Sequence, residues 1–271
     1  MRGSSRGAAR ASQEAFDAAL AASSDGTTLG EELFAVTGVV DGTASLRRAL
    51  ADPSREGDAK AGLARQLFGG KVSDAAVDLV AVVTSQRWAA ERDLVDVLES
   101  LAVQAFLANA EGTGRIDRVE DELFRFERIV AGDTGLRDTL SSRNTDAGGK
   151  AALVHTLLDA KAAPETVRLV EQAVRVPRGR RLDRIMEEYL ELASRRREEL
   201  TALVTAAAPL TEQQQARLRS ALEGHYGKSV TLQVVQDPRV MGGIRVQVGD
   251  EVVDGTVLRR LDEARRHVTG G

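Results

Sequence analysis

"EELFAVTGVVDGTASLRRAL" runs from Glu31 to Leu50, and ninety positions later the chain reads "DELFRFERIVAGDTGLRDTL" from Asp121 to Leu140. Laid over one another without a gap, Glu32, Leu33, Phe34, Val40, Gly42, Leu46, Arg47 and Leu50 meet Glu122, Leu123, Phe124, Val130, Gly132, Leu136, Arg137 and Leu140. The register continues through Lys60, Ala61, Leu63, Leu67, Lys71, Val77, Leu79 and Val80 against Lys150, Ala151, Leu153, Leu157, Lys161, Val167, Leu169 and Val170. It also reaches backwards, where Ala15-Phe16 meets Ala105-Phe106. Most shared positions are apolar and recur at helical spacing, as in Leu46/Leu50 and Leu63/Leu67, which is how two copies of one helical core read. Chance likeness between two amphipathic segments does not hold one register over such a length.

Turn and cap chemistry divides each copy into several short helices and one longer one. In the first, "SSDGTT", "VDGT", "ADPSREG" and "FGGKVSD" predict helices near 5–23, 28–40, 43–51, 57–68, 73–85 and 89–110. Ser73, three residues before Ala76, supplies half of a capping box. The second copy repeats the plan, with Pro164 at a first helical turn, and ends in a long helix from about Arg178 to Glu199. The expected organisation is a first bundle over 1–110, a second over 111–200 and a C-terminal module over 201–271.

After Leu200 the texture changes. "TALVTAAA" has a short strand pattern, and Thr211 with Gln214 has capping-box spacing for a helix carrying Leu218 and Leu222. "VTLQVV" (230–235) and "IRVQV" (244–248) alternate as strands, with Ile244, Val246 and Val248 on one face. Gly249-Asp250 reads as a hairpin turn, and "EVVDG" leads into a last helix with Val257, Leu258, Leu261 and Ala264 on one stripe. The fold class is therefore mostly α: two tandem small helical bundles followed by a small α+β module.

Composition narrows the function. The chain has 271 residues, of which 42% are hydrophobic, 29% charged and 3% aromatic, which suits a soluble helical protein. A net charge of −4 gives no electrostatic reason to expect nucleic acid or an acidic membrane as partner. With no cysteine, a disulfide, a thiolate metal site or a thiol nucleophile is excluded. His155, His225 and His267 lie far apart, without metal-ligand spacing. The N-terminal "MRGSSRGAARASQ" lacks the apolar core of a signal peptide. No run approaches the ~20 apolar residues of a membrane span. A soluble, intracellular protein without a cofactor is expected.

Local look-alikes fail on context. Gly227-Lys228-Ser229 suggests a phosphate loop, but the position five residues before Gly227 is Leu222, and a strand pattern follows where a helix is required. Gly242-Gly243 fails the same test, and there is no GxGxxG. Arg175–Arg197 is rich in arginine, yet Asp183, Glu187, Glu188 and Glu191 are interleaved, which predicts a solvated helix that pairs its own charges. Trp88, the only tryptophan, reads as a core or interface anchor. No catalytic constellation survives.

From Ala206 to Val268 the chain resembles the δ subunit of F-type ATP synthase, whose mitochondrial counterpart is the oligomycin-sensitivity-conferring protein. The matching features are Pro209-Leu210-Thr211, Gly227-Lys228, Val230, Leu232, Asp237, Gly242-Gly243, Val248-Gly249-Asp250, and Asp254-Gly255-Thr256 with Leu261. The segment from Arg48 to Leu101 is similar to the later helices of the family's bundle, whereas the duplication departs from its usual single bundle. The resemblance implies a non-catalytic stator subunit at the cytoplasmic face of the cell membrane. A helical bundle would grip the N-terminal helix of an α subunit, with contact to β subunits, and the C-terminal module would hold the b subunits of the peripheral stalk, so that rotor torque drives ATP synthesis. By that analogy the groove in the first copy uses Ala15, Phe16, Ala19, Val77, Val80 and Val83. Asp237, Gly242, Gly243, Gly249, Asp250, Asp254 and Gly255 form a structural signature. A free-standing adaptor that binds amphipathic helices is the alternative; it explains the bundles but not the C-terminal match.

Overall fold

Repetition at the level of residues becomes repetition of helices. The computed structural model describes residues 3–23, 25–142, 145–226, 229–237, 243–248 and 251–254. Gly242, Gly249, Asp250, Gly255 and the expected final helix lie outside them. The chain forms two compact units, Met1–Ser194 and Arg195–Gly271.

The first copy comprises α1 (Gly3–Ala22), α2 (Gly26–Gly42), α3 (Ala44–Ala51), α4 (Gly57–Phe68), α5 (Asp74–Ser85) and α6 (Glu91–Gly112). The second continues with α7 (Ile116–Gly132), α8 (Thr134–Ser141), α9 (Ala147–Leu158), α10 (Pro164–Arg175) and α11 (Leu182–Glu198). Shifting by ninety places α1 on α6 and α6 on α11, so α6 is both the last helix of the first copy and the first helix of the second. One apolar core spans both copies, from Ala8 through Phe106 to Ala193.

The caps follow the sequence. Asp25 accepts from the N–H groups of Thr27 and Thr28 at the start of α2, and these bonds hold its carboxyl below the usual range. The half box at Ser73 is completed from a distance. Its Oγ accepts the Ala76 N–H at 3.3 Å, while Ser73 itself donates its N–H (2.8 Å) and Oγ–H (2.6 Å) to Glu32 on α2. In the second copy Glu122, the counterpart of Glu32, takes the Ala163 N–H at 2.8 Å and the Thr166 hydroxyl at 2.6 Å. A carboxylate from the second helix of each copy thus caps the fifth.

Glycine permits the close pairing of α2 on α6. A Cβ on Gly26 would stand 2.7 Å from the Ala105 carbonyl oxygen, and one on Gly30 would stand 2.5 Å from Cε2 of Phe106. Their counterparts are Ile116 and Glu120, so the second copy cannot repeat this approach unaltered.

In the second unit β1 (Glu199–Ala206), α12 (Glu212–Tyr226), β2 (Ser229–Gln236), β3 (Ile244–Val248) and β4 (Glu251–Asp254) build a four-stranded sheet of order β2-β1-β3-β4. β1 and β2 are parallel, joined by the α12 crossover that parallel pairing demands, while β1–β3 and β3–β4 are antiparallel. The register puts Ala202, Val204, Val230, Val246 and Val248 in a core with Leu218 and Leu222 of α12 against it. The capping box forms in full: the Thr211 N–H reaches Gln214 at 2.9 Å, and Thr211 Oγ1 accepts the Gln214 N–H at 3.3 Å. The architecture is mostly α with a small α+β module, as the periodicities predict.

Candidate partner-binding surfaces

The six nominated groove residues fall on α1 and α5, which pack directly on one another. Phe16, Val80 and Val83 are sealed in the core, Ala19 and Val77 nearly so, and Ala15 is half-buried against it. The half-buried outer flanks of the pair are Ala11 and Ala15 on α1 and Ala75 and Val82 on α5. These small and β-branched side chains are the half-buried apolar positions that the two helices present outside the core.

The equivalent face of the second copy is already covered. Ala105 and Phe106 on α6, counterparts of Ala15 and Phe16, lie beneath α2 through Gly26, Gly30 and a stacked Phe34 whose ring centroid is 5.6 Å from that of Phe106. Arg168 of α10 closes the arrangement. Its guanidinium lies 5.0 Å from the Phe34 centroid and donates to both Glu31 oxygens at 2.5 and 2.7 Å. Within the second copy, Glu165 on α10 accepts from Arg115 at 2.6 Å and from Asn109 of the shared α6 at 2.8 Å. Burial pushes the Glu165 carboxyl up, but these donors outweigh it and leave it below the usual range.

The arginine-rich stretch differs from the expected self-paired helix. Arg184 does pair with Glu187 within α11, but Arg178 and Arg180, in the loop before it, reach back to α6. Arg178, with a side chain only 2% exposed, donates to Glu99 at 2.7 Å and also pairs with Asp96; Arg180 donates to Glu99 at 2.6 Å and to Glu188 at 2.6 Å. Arg178 occupies the repeat position of Trp88, whose indole N–H donates to the Val83 carbonyl at 3.0 Å from a buried site. The same loop is therefore anchored by an aromatic ring in one copy and by an ion pair in the other. Sequence periodicity missed Glu99 because a helical carboxylate between apolar residues gives no sign of its partner. The Glu32/Glu122 identity was visible, and its polar character was the available clue to the tertiary caps.

In the second unit Gly243 adopts φ +80°, a left-handed backbone suited to glycine, immediately before β3. Asp237 extends the sheet by donating its N–H to the Ala206 carbonyl at 3.0 Å, and Asp254 ends β4. Among the described residues no group of His, Asp or Glu side chains is arranged to hold a metal ion, and no helix is long and apolar enough to cross a membrane.

The family model described as ATP synthase delta (OSCP) subunit matches residues 102–268. The chain is 46% identical to ATP synthase subunit delta of Kineococcus radiotolerans, over 96% of this chain and 95% of that protein. It is 47% identical to the subunit delta of Beutenbergia cavernae over the full length of both. The chain belongs to the ATP synthase delta (OSCP) subunit family. The subunit delta of Streptomyces coelicolor is likewise 47% identical, over 99% of this chain and 98% of that one. Delta-family membership makes the chain a structural subunit of the ATP synthase peripheral stalk and not an enzyme. Full-length similarity to these relatives also includes the duplicated bundle, so the second copy is shared with them.

Proposed function

We propose that this delta-family chain is the joint that ties the catalytic head of a proton-translocating F-type ATP synthase to its stalk, as a peripheral component at the cytoplasmic face of the cell membrane. The first bundle grips the N-terminal helix of an α subunit along the α1–α5 pair, and the C-terminal module holds the b subunits. The observation that supports the first copy is the cover on the second: α2 lies over Ala105 and Phe106, whereas Ala15 remains reachable from solvent. An amphipathic helix docks on an apolar surface through anchors at i, i+3, i+4 and i+7. A joint under torque requires slow release, which a broad apolar interface provides.

A second reading places the grip on the second copy, at the equivalent α6–α10 pair, because the family match begins at residue 102, within α6. Titration of the full chain with a peptide of the α-subunit N-terminus separates the two. Ala15→Arg, on α1, weakens binding about tenfold or more on the first reading, whereas unchanged affinity refutes it. Co-purification from membranes tests the wider reading, which fails if tagged chain brings down no α, β or b subunits.

A further inference from the structure

The contact that joins the two copies has a solvent-exposed duplicate on α7. Between the copies, Phe34 and Glu31 on α2 together hold Arg168, the ring beneath the guanidinium and the carboxylate in front of it, and Phe34 is only 4% exposed. Ninety residues on, α7 carries the same aromatic–carboxylate pair as Phe124 and Asp121. There the ring is 52% exposed and the carboxylate is 51% exposed. The position that supplies the stacking ring in the first copy, Phe106, corresponds to Arg196 in the second.

Repeat arrays bury this kind of surface against the next unit, and the terminal unit is left with its version open. A half-exposed phenylalanine beside a carboxylate has a defined complement: a cation with an apolar stem, lying on the ring and pairing with the acid. Asp121 has a local partner in Arg125, one turn along α7 at 2.8 Å, but that pair is mostly solvent-exposed and therefore weak enough for a better-placed cation to displace.

We infer that the Asp121–Phe124 face of α7 docks a cationic amphipathic helix of the b stalk, which presents an arginine or lysine as α10 presents Arg168 to the first copy. This rests on the stator reading and extends it, giving the second bundle its own hold on the stalk in addition to that of the C-terminal module.

The test places a photo-cross-linking phenylalanine analogue at position 124 of the full chain, with Gly62 on α4 as the control position, in cells that assemble the enzyme. The expected product is a 124-specific adduct on a basic helical stretch of b. Adducts to residues 195–271 of the same chain, to a second copy of the chain, or to no protein overturn the inference while co-purification with α, β and b leaves the stator reading standing. Absence of co-purification overturns both. In a second measurement, Phe124→Ala and Asp121→Arg each weaken binding of a soluble b segment about tenfold with an unchanged melting temperature. Unchanged affinity in both variants rejects the site.

Discussion

Gly30 lies against the ring of Phe106 so closely that a Cβ at position 30 would sit 2.5 Å from Cε2 and 2.7 Å from Cδ2. The ring cannot yield easily, since it is buried and stacked on Phe34. Gly30→Ala is therefore expected to destabilise the first unit by about 1–3 kcal/mol through overpacking, more than the helix-propensity gain of about 1 kcal/mol. Gly38→Ala, in the same helix with nothing within 4 Å, gains that propensity and is expected to stabilise by about 0.5–1 kcal/mol. Denaturant unfolding of the two variants checks both signs.

Glu122 caps α10 across the bundle, and removal of its charge exposes the dependence. Burial pushes its carboxyl up, but hydrogen bonds from Thr166, the Ala163 N–H and Arg118 outweigh burial and hold it below the usual range. A carboxyl depressed in the folded state contributes stability that is complete above its unfolded pKa of about 4.3 and is lost as pH falls through the folded value. Glu122→Gln is expected to cost about 0.5–2 kcal/mol at neutral pH, the range of a lost helix cap. The gap between the two proteins should close in acid; a gap constant down to full protonation would show that the charge is not what caps α10.

Breaking the Arg178–Glu99 pair from one side is expected to hurt more than replacing both partners. Glu99→Ala leaves a guanidinium 2% exposed with Asp96 as its one remaining acid, with Nε and Nη1 already lacking partners, and should cost about 3–5 kcal/mol. The double variant Glu99→Leu/Arg178→Met substitutes apolar groups of similar size and should recover most of that loss. A double-mutant cycle by thermal melting reads the difference.

The Thr211–Gln214 box is local, and its effect should stay local. Thr211→Ala removes the acceptor for the Gln214 N–H and is expected to cost about 1 kcal/mol. Hydrogen exchange should rise at the start of α12 and stay unchanged in α1–α6.

Much of this architecture was legible because it rests on short-range periodicity. Leu46/Leu50 and Leu63/Leu67 mark helical faces, Ile244/Val246/Val248 mark a strand face, and Thr211-x-x-Gln214 marks a helix start, each set by neighbours within a turn or a pleat. The gapless register between residues 31 and 170 likewise revealed the duplication and, with the glycines and aspartates after Asp237, the family. What the chain withheld is long-range. Nothing near Ser73 announces that its cap is completed by Glu32, forty-one residues away. Nor does helical spacing tell that Glu99 meets Arg178, or that Phe34 is covered while Phe124 is left open. Those outcomes depend on which helix faces meet; for α2 and α6 the close approach passes through Gly26 and Gly30, residues too small to stand out in a pattern, whose missing Cβ atoms leave room for Ala105 and Phe106. Sequence determined the elements, their order and their kinship. Tertiary packing alone decided that Phe34 is buried and its repeat counterpart Phe124 exposed, because burial depends on what approaches from elsewhere in the chain.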